Sequence, residues 1–302
     1  EDEHLAYLDT HYYGGIKNYQ WTALPLALHG VVATTDGEVI EVNIGDDEAD
    51  PVFCVTDLLP HLGSQQMDKK GAKVVEGEDL DVLVGNRPLL STADSSDSKE
   101  AESTETPKDP VKAHVLALLA DKYGISEEDF LSAELEAVPA GRARDLGFDR
   151  SMVIGYGQDD RVCAYTSLVA QLALGDDVPA RTAVCVLVDK EEIGSEGVSG
   201  MLSAAFDKFM GELCDTQGVL LRDCFAKSFC VSADVTAAYD PNFAEVYDKR
   251  NSAFINYGVG LCKYTGAGGK SGASDASAEV VGKLRRLLNE EKVFWQMAEL
   301  GK

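Results

Sequence analysis

The sequence predicts an α/β protein, a doubly wound mixed sheet flanked by helices, with a separate β-rich stretch ahead of it. Three observations carry this reading. From about residue 133 onward, helical patterns alternate with short apolar runs, an order that builds strands with helices on both faces. Two of those runs end abruptly in acids, at the strand ends where open α/β sheets bind ligands. Residues 21–90 instead show two-residue alternation and turn signals, the pattern of antiparallel strands.

The elements follow in order. His-Tyr-Tyr-Gly-Gly at 11–15 reads as a loop that needs positive φ. Val31-Val32-Ala33 and Val39-Ile40-Glu41-Val42, joined through Asp36-Gly37, read as a hairpin. Val52-Phe53-Cys54-Val55 is a short strand, and Pro60 marks a break after it. Residues 91–110 (STADSSDSKEAESTETPKDP) hold no large apolar side chain and are expected to form a loop or linker. Val111, Val115, Leu118 and Leu119 then define a helix closed by Gly124, and Ser126 to Asp129 resembles a capping box. Arg161–Leu174 reads as a helix with Val162, Tyr165, Leu168, Val169 and Leu172 on one face. Thr182–Val188 reads as a buried parallel strand, 198–213 as a helix, and Ser228–Asp234 as another strand. A glycine-rich turn at Gly266, Gly268 and Gly269 precedes a helix over about 275–291, with Ser274 as its N-cap.

Composition narrows the function. The chain has 302 residues, enough for about two domains, and a formal net charge of −25. That charge repels phosphate, so nucleic acid is excluded as a partner, while cations are favoured. No apolar run is long enough to cross a membrane as a helix, and Glu1-Asp2-Glu3-His4 does not read as a signal peptide. The seven cysteines are scattered without a CxxC spacing, which predicts reduced thiols and a cytoplasmic protein. All five histidines fall at or before His114.

The chemistry-bearing residues are acids: Asp189 with Glu191 and Glu192 after one apolar run, Asp234 after the other, and Asp159-Asp160 opening a helix. Converged carboxylates repel unless a cation neutralises them, and zinc, magnesium or manganese would suit such oxygen ligands. Taken singly, each has a plainer reading: a helix-capping pair, or solvated loop charge. Gly194-Ser195-Glu196-Gly197 is not a nucleophile elbow and no histidine follows it, which excludes a Ser-His-Asp triad in this half. The run from Gly266 to Ser271 has the wrong spacing for a phosphate-binding loop. Lys263, at the end of a short apolar stretch, reads on its own as a surface lysine.

With these acids in place the chain resembles the aspartyl aminopeptidase and vacuolar aminopeptidase I family of dinuclear zinc aminopeptidases. The resemblance rests on HYYGGIKNYQW (11–21), PLALHGVV (25–32), VTDLLPHLG (55–63), SAELEAVPA (132–140), GFDRSMVIGYGQDDRVCAYTSL (147–168), VLVDKEEIGSEG (186–197), SADVTAAYDPNF (232–243), KYTGAGGKSGASDASAE (263–279) and WQMAELGK (295–302). It implies a hydrolase that removes an acidic or neutral N-terminal residue from peptide substrates. Asp160 would bridge two zinc ions, with a cis peptide at Asp160–Arg161. Glu192 and Asp234 would each ligate one ion, Glu191 would act as general base, and Lys263 would contact substrate. Manganese or cobalt would be possible substitutes for zinc.

The resemblance also implies an architecture: a catalytic domain from 1–19 and 132–302, interrupted by an inserted β-rich dimerisation domain over 20–131 that carries the acidic mobile loop. Homodimers would assemble into a tetrahedral dodecamer, and His61 would reach a neighbouring subunit's active site, or else play a structural part. The family completes its zinc shells with two histidines in segments outside the matched stretches, and Ala237 stands where some relatives have a substrate-contacting histidine. This implies a catalytic domain truncated at both ends, poorly active alone. The alternative is a non-catalytic oligomeric shell protein with a dismantled metal site.

Overall fold

The computed structural model describes residues 1–89, 107–265 and 274–299. Its first elements are β1 (Ala6–Leu8), β2 (Leu26–Ala33), β3 (Val39–Ile44), β4 (Cys54–Val55), α1 (Ser64–Met67) and β5 (Val82–Gly85). They are followed by α2 (Pro110–Tyr123), β6 (Ala133–Pro139), β7 (Arg144–Leu146), β8 (Met152–Ile154) and α3 (Gln158–Leu172). The remainder holds α4 (Ala205–Thr216), α5 (Leu221–Lys227), β9 (Val259–Leu261), β10 (Tyr264–Thr265), β11 (Ser274–Asp275), α6 (Ala278–Glu290) and β12 (Trp295–Met297). The class is mixed α/β. The chain divides into two units, one of Glu1–Tyr156 with Val188–Ala226, the other of Gly157–Leu187 with Lys227–Lys302.

The first unit is built around β2. This strand pairs antiparallel with β3 across the hairpin that Asp36-Gly37 closes, Gly37 taking φ +90°. On its other side β2 pairs antiparallel with β6, from Leu26 opposite Pro139 to Val32 opposite Ala133. A second sheet has the order β1-β5-β4, and β7 and β8 form a separate hairpin. Apolar side chains collect in two clusters. Leu26, Val55, Val75, Leu80 and Val82 form one, with Leu8, Ile16 and Trp21 packed against it. Val32, Val42, Ile44 and Ile125 form the other, with Phe130 and Leu135 beside it.

Helix α2 meets the expectation closely. Gly124 closes it in a left-handed conformation at φ +71°, donating to the Ala120 carbonyl. At its other end Glu1 accepts from the amides of Val111 and Lys112 at 2.8 and 2.9 Å, placing a carboxylate where the helix dipole favours one. Ser126 donates from both amide and hydroxyl to Asp129, whereas the hydroxyl of a capping box would accept from the turn's backbone; the N-cap is Glu127, with no side-chain cap bond, and the turn that follows, Glu128–Ser132, is 3-10 rather than α.

Other elements depart from expectation. Within 182–188 and 228–234 no ladder strand forms among the described residues. An apolar run signals burial but does not name a pairing partner, and Val184, Val186 and Leu187 remain substantially exposed. The apolar face expected of α3 is likewise open, with Tyr165 68% and Leu172 67% exposed. Helix α4 starts at Ala205 rather than 198, because the Ser- and Gly-rich stretch before it is folded into turns. There Leu202 donates to Ser195 and Ser203 to Gly200. The N-cap of α6 is Ser277, whose hydroxyl accepts from Val280; Ser274 is taken up by the β10–β11 pairing. The second unit also holds the parallel pair β9–β12. The acidic segment expected at 91–110 falls, up to residue 106, outside the described residues, as does the glycine-rich turn at 266–269.

Gly30 tests the register of β2. Its φ is +145°, and a Cβ there would lie 1.9 Å from the Glu134 carbonyl oxygen of β6. Gly30→Ala is expected to cost at least about 3 kcal/mol in denaturant unfolding. Gly37→Ala, at positive φ but facing open space, should cost about 1–2 kcal/mol. Equal losses would refute the β2–β6 pairing.

Candidate metal centre

The acids of the second unit converge where α3 begins. Gly157 enters the helix at φ +74°, and Asp159 (φ −88°, ψ +103°) and Asp160 (φ −122°, ψ +30°) depart from helical geometry before the regular turns start. The segment Ser228–Asp234 supplies Asp234. One carboxylate oxygen from each of Asp159, Asp160 and Asp234 lies within 4.8 Å of the others. The resemblance placed a cis peptide at Asp160–Arg161, but the cis bond is Asp159–Asp160, one position earlier. Asp160–Arg161 is trans, and the Arg161 amide donates to the Gly157 carbonyl at 3.3 Å, where the regular turns of the helix begin.

The electrostatics of this group are those of converged negative charge. Asp160 Oδ1 is buried and has no hydrogen-bond partner. Cys163, one turn further along α3, hydrogen-bonds to Asp160. Its thiol is pushed up to about 11, first by burial, then by that bond and by the charges of Asp160, Asp234 and Asp159. Three carboxylates this close, one with an orphaned buried oxygen, cost stability unless a cation joins them. The residues therefore fit a hard divalent ion. Sequence reasoning singled out Asp160 and Asp234 but gave no role to Asp159, although the Asp-Asp pair was its visible signal.

Glu191 and Glu192 belong to the first unit. They occupy a 3-10 turn, Glu191–Ile193, entered by Lys190 at φ +68° and left by Gly194 at φ +89°. The Lys190 carbonyl accepts from Ser195 at 2.7 Å and Ile193 at 3.3 Å, which fixes the turn. The Lys190 ammonium lies 3.2 Å from Asp189 and 5.5 Å from the centre of the Tyr13 ring. The hydrogen bond and charge of Asp189 hold that ammonium above its ordinary range. Gly14, at φ +64° as the 11–15 loop was expected to require, comes so close that a Cβ there would sit 3.1 Å from Glu192 Cβ. A loop remote in sequence thus packs against the Glu pair.

Lys263 is not a free surface lysine. It ion-pairs with Asp275 and lies 4.2 Å from the Tyr264 ring centre. Its ammonium is raised first by the hydrogen bond to Asp275. His61 is exposed in the loop between β4 and α1, beside Leu58, Leu59 and Leu62.

Comparison with known proteins assigns this geometry to a family. Residues 1–302 match the model of the aminopeptidase I zinc metalloproteases (M18). A curated relative from Clostridium acetobutylicum, "Probable M18 family aminopeptidase 1", is 52% identical over 306 residues, covering 100% of this chain and 63% of its own length. The crystal structure of the M18 aminopeptidase of Thermotoga maritima superposes with a TM-score of 0.89 at 43% identity, covering 100% of this chain and 64% of that one. Vacuolar aminopeptidase 1 of Saccharomyces cerevisiae is 26% identical over 267 residues, which are 82% of this chain and 49% of its own length. The chain thus spans just under two thirds of the length of the bacterial relatives it matches, and no helix among the described residues is long and apolar enough to cross a membrane. On the match along its whole length, the chain belongs to the aminopeptidase I (M18) family of zinc metalloproteases.

Proposed function

We propose that this chain is part of a metalloaminopeptidase that hydrolyses the N-terminal residue, acidic or neutral, from peptides. The observation that carries the reading is the convergence of Asp159, Asp160 and Asp234 around a buried, unpartnered carboxylate oxygen. The names carried by its relatives point the same way.

In this reading Asp160 and Asp234 ligate metal, with Glu192 as a further ligand, two zinc ions in the complete protein, and manganese or cobalt as substitutes. Asp159 belongs to the same group by position. Bound zinc would supply Lewis-acid polarisation of the scissile carbonyl and a more acidic water. Glu191 takes the proton of the attacking water on its carboxylate and hands it to the leaving amine. As neighbours on a tight turn, Glu191 and Glu192 project in different directions, so one serves as ligand and the other as base. Lys263 meets the substrate, its ammonium first leaving Asp275 to do so. His61 would act on a neighbouring subunit in a homo-oligomer of dimers, up to a dodecamer, that operates in the cytoplasm. The catalytic domain would comprise 1–19 and 132–302, and the inserted dimerisation domain 20–131.

Two outcomes test it. Asp160→Asn and Asp234→Asn should each weaken zinc or manganese binding by at least about tenfold in titration calorimetry, and unchanged affinity in both would sink the metal assignment. In a protein of the relatives' full length, Glu191→Gln should cut hydrolysis of aminoacyl amides by at least about a hundredfold while metal content stays the same. Full activity in that variant would remove Glu191 as the base. A panel of peptides beginning with Asp, Glu or Leu reads out the preferred residue.

A further inference from the structure

The first unit carries a thiol pair that the peptidase reading does not use. Helices α4 and α5 follow one another through residues 217–220. The rings of Phe206 on α4 and Phe225 on α5 stack, 5.9 Å apart and 9° from parallel. A Cβ on Gly211 would sit 3.9 Å from Leu221 Cδ2, in ordinary contact. At the turn the Cys214 carbonyl accepts from Val219 and the Leu220 carbonyl from Cys224, each at 3.0 Å. Cys214, in the last turn of α4, is buried, and Cys224, on α5, is partly exposed. Their side chains hydrogen-bond to each other, and neither sulfur is in a disulfide. Other cysteines are engaged differently: Cys163 with Asp160, and Cys262 with the Tyr264 carbonyl and Glu299.

We propose that Cys214 and Cys224 are a peroxide-oxidisable pair that closes to a reversible disulfide between α4 and α5. The chemistry balances with hydrogen peroxide as the oxidant. The Cys224 sulfur, the one with solvent access, attacks peroxide as the thiolate. A sulfur–oxygen bond forms, the oxygen–oxygen bond breaks, and the departing hydroxide takes up the thiol proton as water. The Cys214 sulfur then attacks Cys224 sulfur. A sulfur–sulfur bond forms, the sulfur–oxygen bond breaks, and the Cys214 proton leaves with the hydroxide as a second water. Two thiols are oxidised by two electrons in all, and one peroxide is reduced to two waters. Burial and the hydrogen bond to Cys224 keep Cys214 protonated until the first step, its thiol pushed up from the ordinary range. The cross-link ties α4 to α5, two helices that the stacked rings of Phe206 and Phe225 already bring together.

Treatment of the chain with stoichiometric hydrogen peroxide, followed by denaturing thiol titration and peptide mapping, tests this. The expected result is a loss of two of the seven thiols, a mass decrease of about 2 Da, and one cross-linked peptide joining 214 to 224. Dithiothreitol should reverse all three. Cys224→Ser should abolish the cross-link and Cys230→Ser should leave it in place. Recovery of Cys224 as sulfinic acid without the cross-link, or of Cys214 joined to another cysteine, would overturn the proposal. The wild-type map decides it even where a variant fails to fold.

Discussion

The first unit depends on a single shared strand. β2 holds a partner on each side, and its two ends seed different cores, Leu26 in one apolar cluster and Val32 in the other. A strand in that position cannot slip by one residue without turning its buried side chains to solvent and emptying both clusters at once. Gly30 locks the alignment from inside, because β6 passes too close for any side chain there. The 11–15 loop and the Glu191–Ile193 turn, which meet at Gly14 and Glu192, belong to the same unit.

The acids of the second unit follow the opposite logic. There the chain gathers like charges and leaves one oxygen of Asp160 buried without a donor. A cation bound there would lower the cost of that arrangement. The raised thiol of Cys163 reports the same field from a neighbouring group that ligates nothing itself. Part of the −25 net charge is therefore concentrated rather than spread.

Local signals were legible in the sequence, and long-range ones were not. The β2–β3 hairpin was written in Asp36-Gly37 and its flanking alternation, and the end of α2 in Gly124, because turn chemistry is a property of a few adjacent residues. The start of α4 was misjudged because Val198, Met201 and Leu202 imitate a helical period while the Ser and Gly around them fold into turns. The runs at 182–188 and 228–234 fixed apolar character and little else, since a ladder needs a partner that no run specifies. At the site, residue types and their neighbours in sequence were readable as acids in want of a cation. The part played by Asp159 was not, because whether one or both members of an Asp-Asp pair turn inward is decided by backbone angles at the helix start.

The approach of Gly14 to Glu192 has a consequence for how the sequence can drift. A β-carbon at position 14 would sit 3.1 Å from Glu192 Cβ, so a side chain on a different segment would have to give by a few tenths of an ångström, and the positive φ would penalise the change as well. The two positions are therefore not independent. A change at 14 alters the tolerance at 192, and a shift of the Glu turn would be needed before 14 could accept anything larger. Variation in the HYYGG loop is thus filtered by the geometry of the Glu pair, an epistatic tie between two stretches that a linear reading treats as separate motifs.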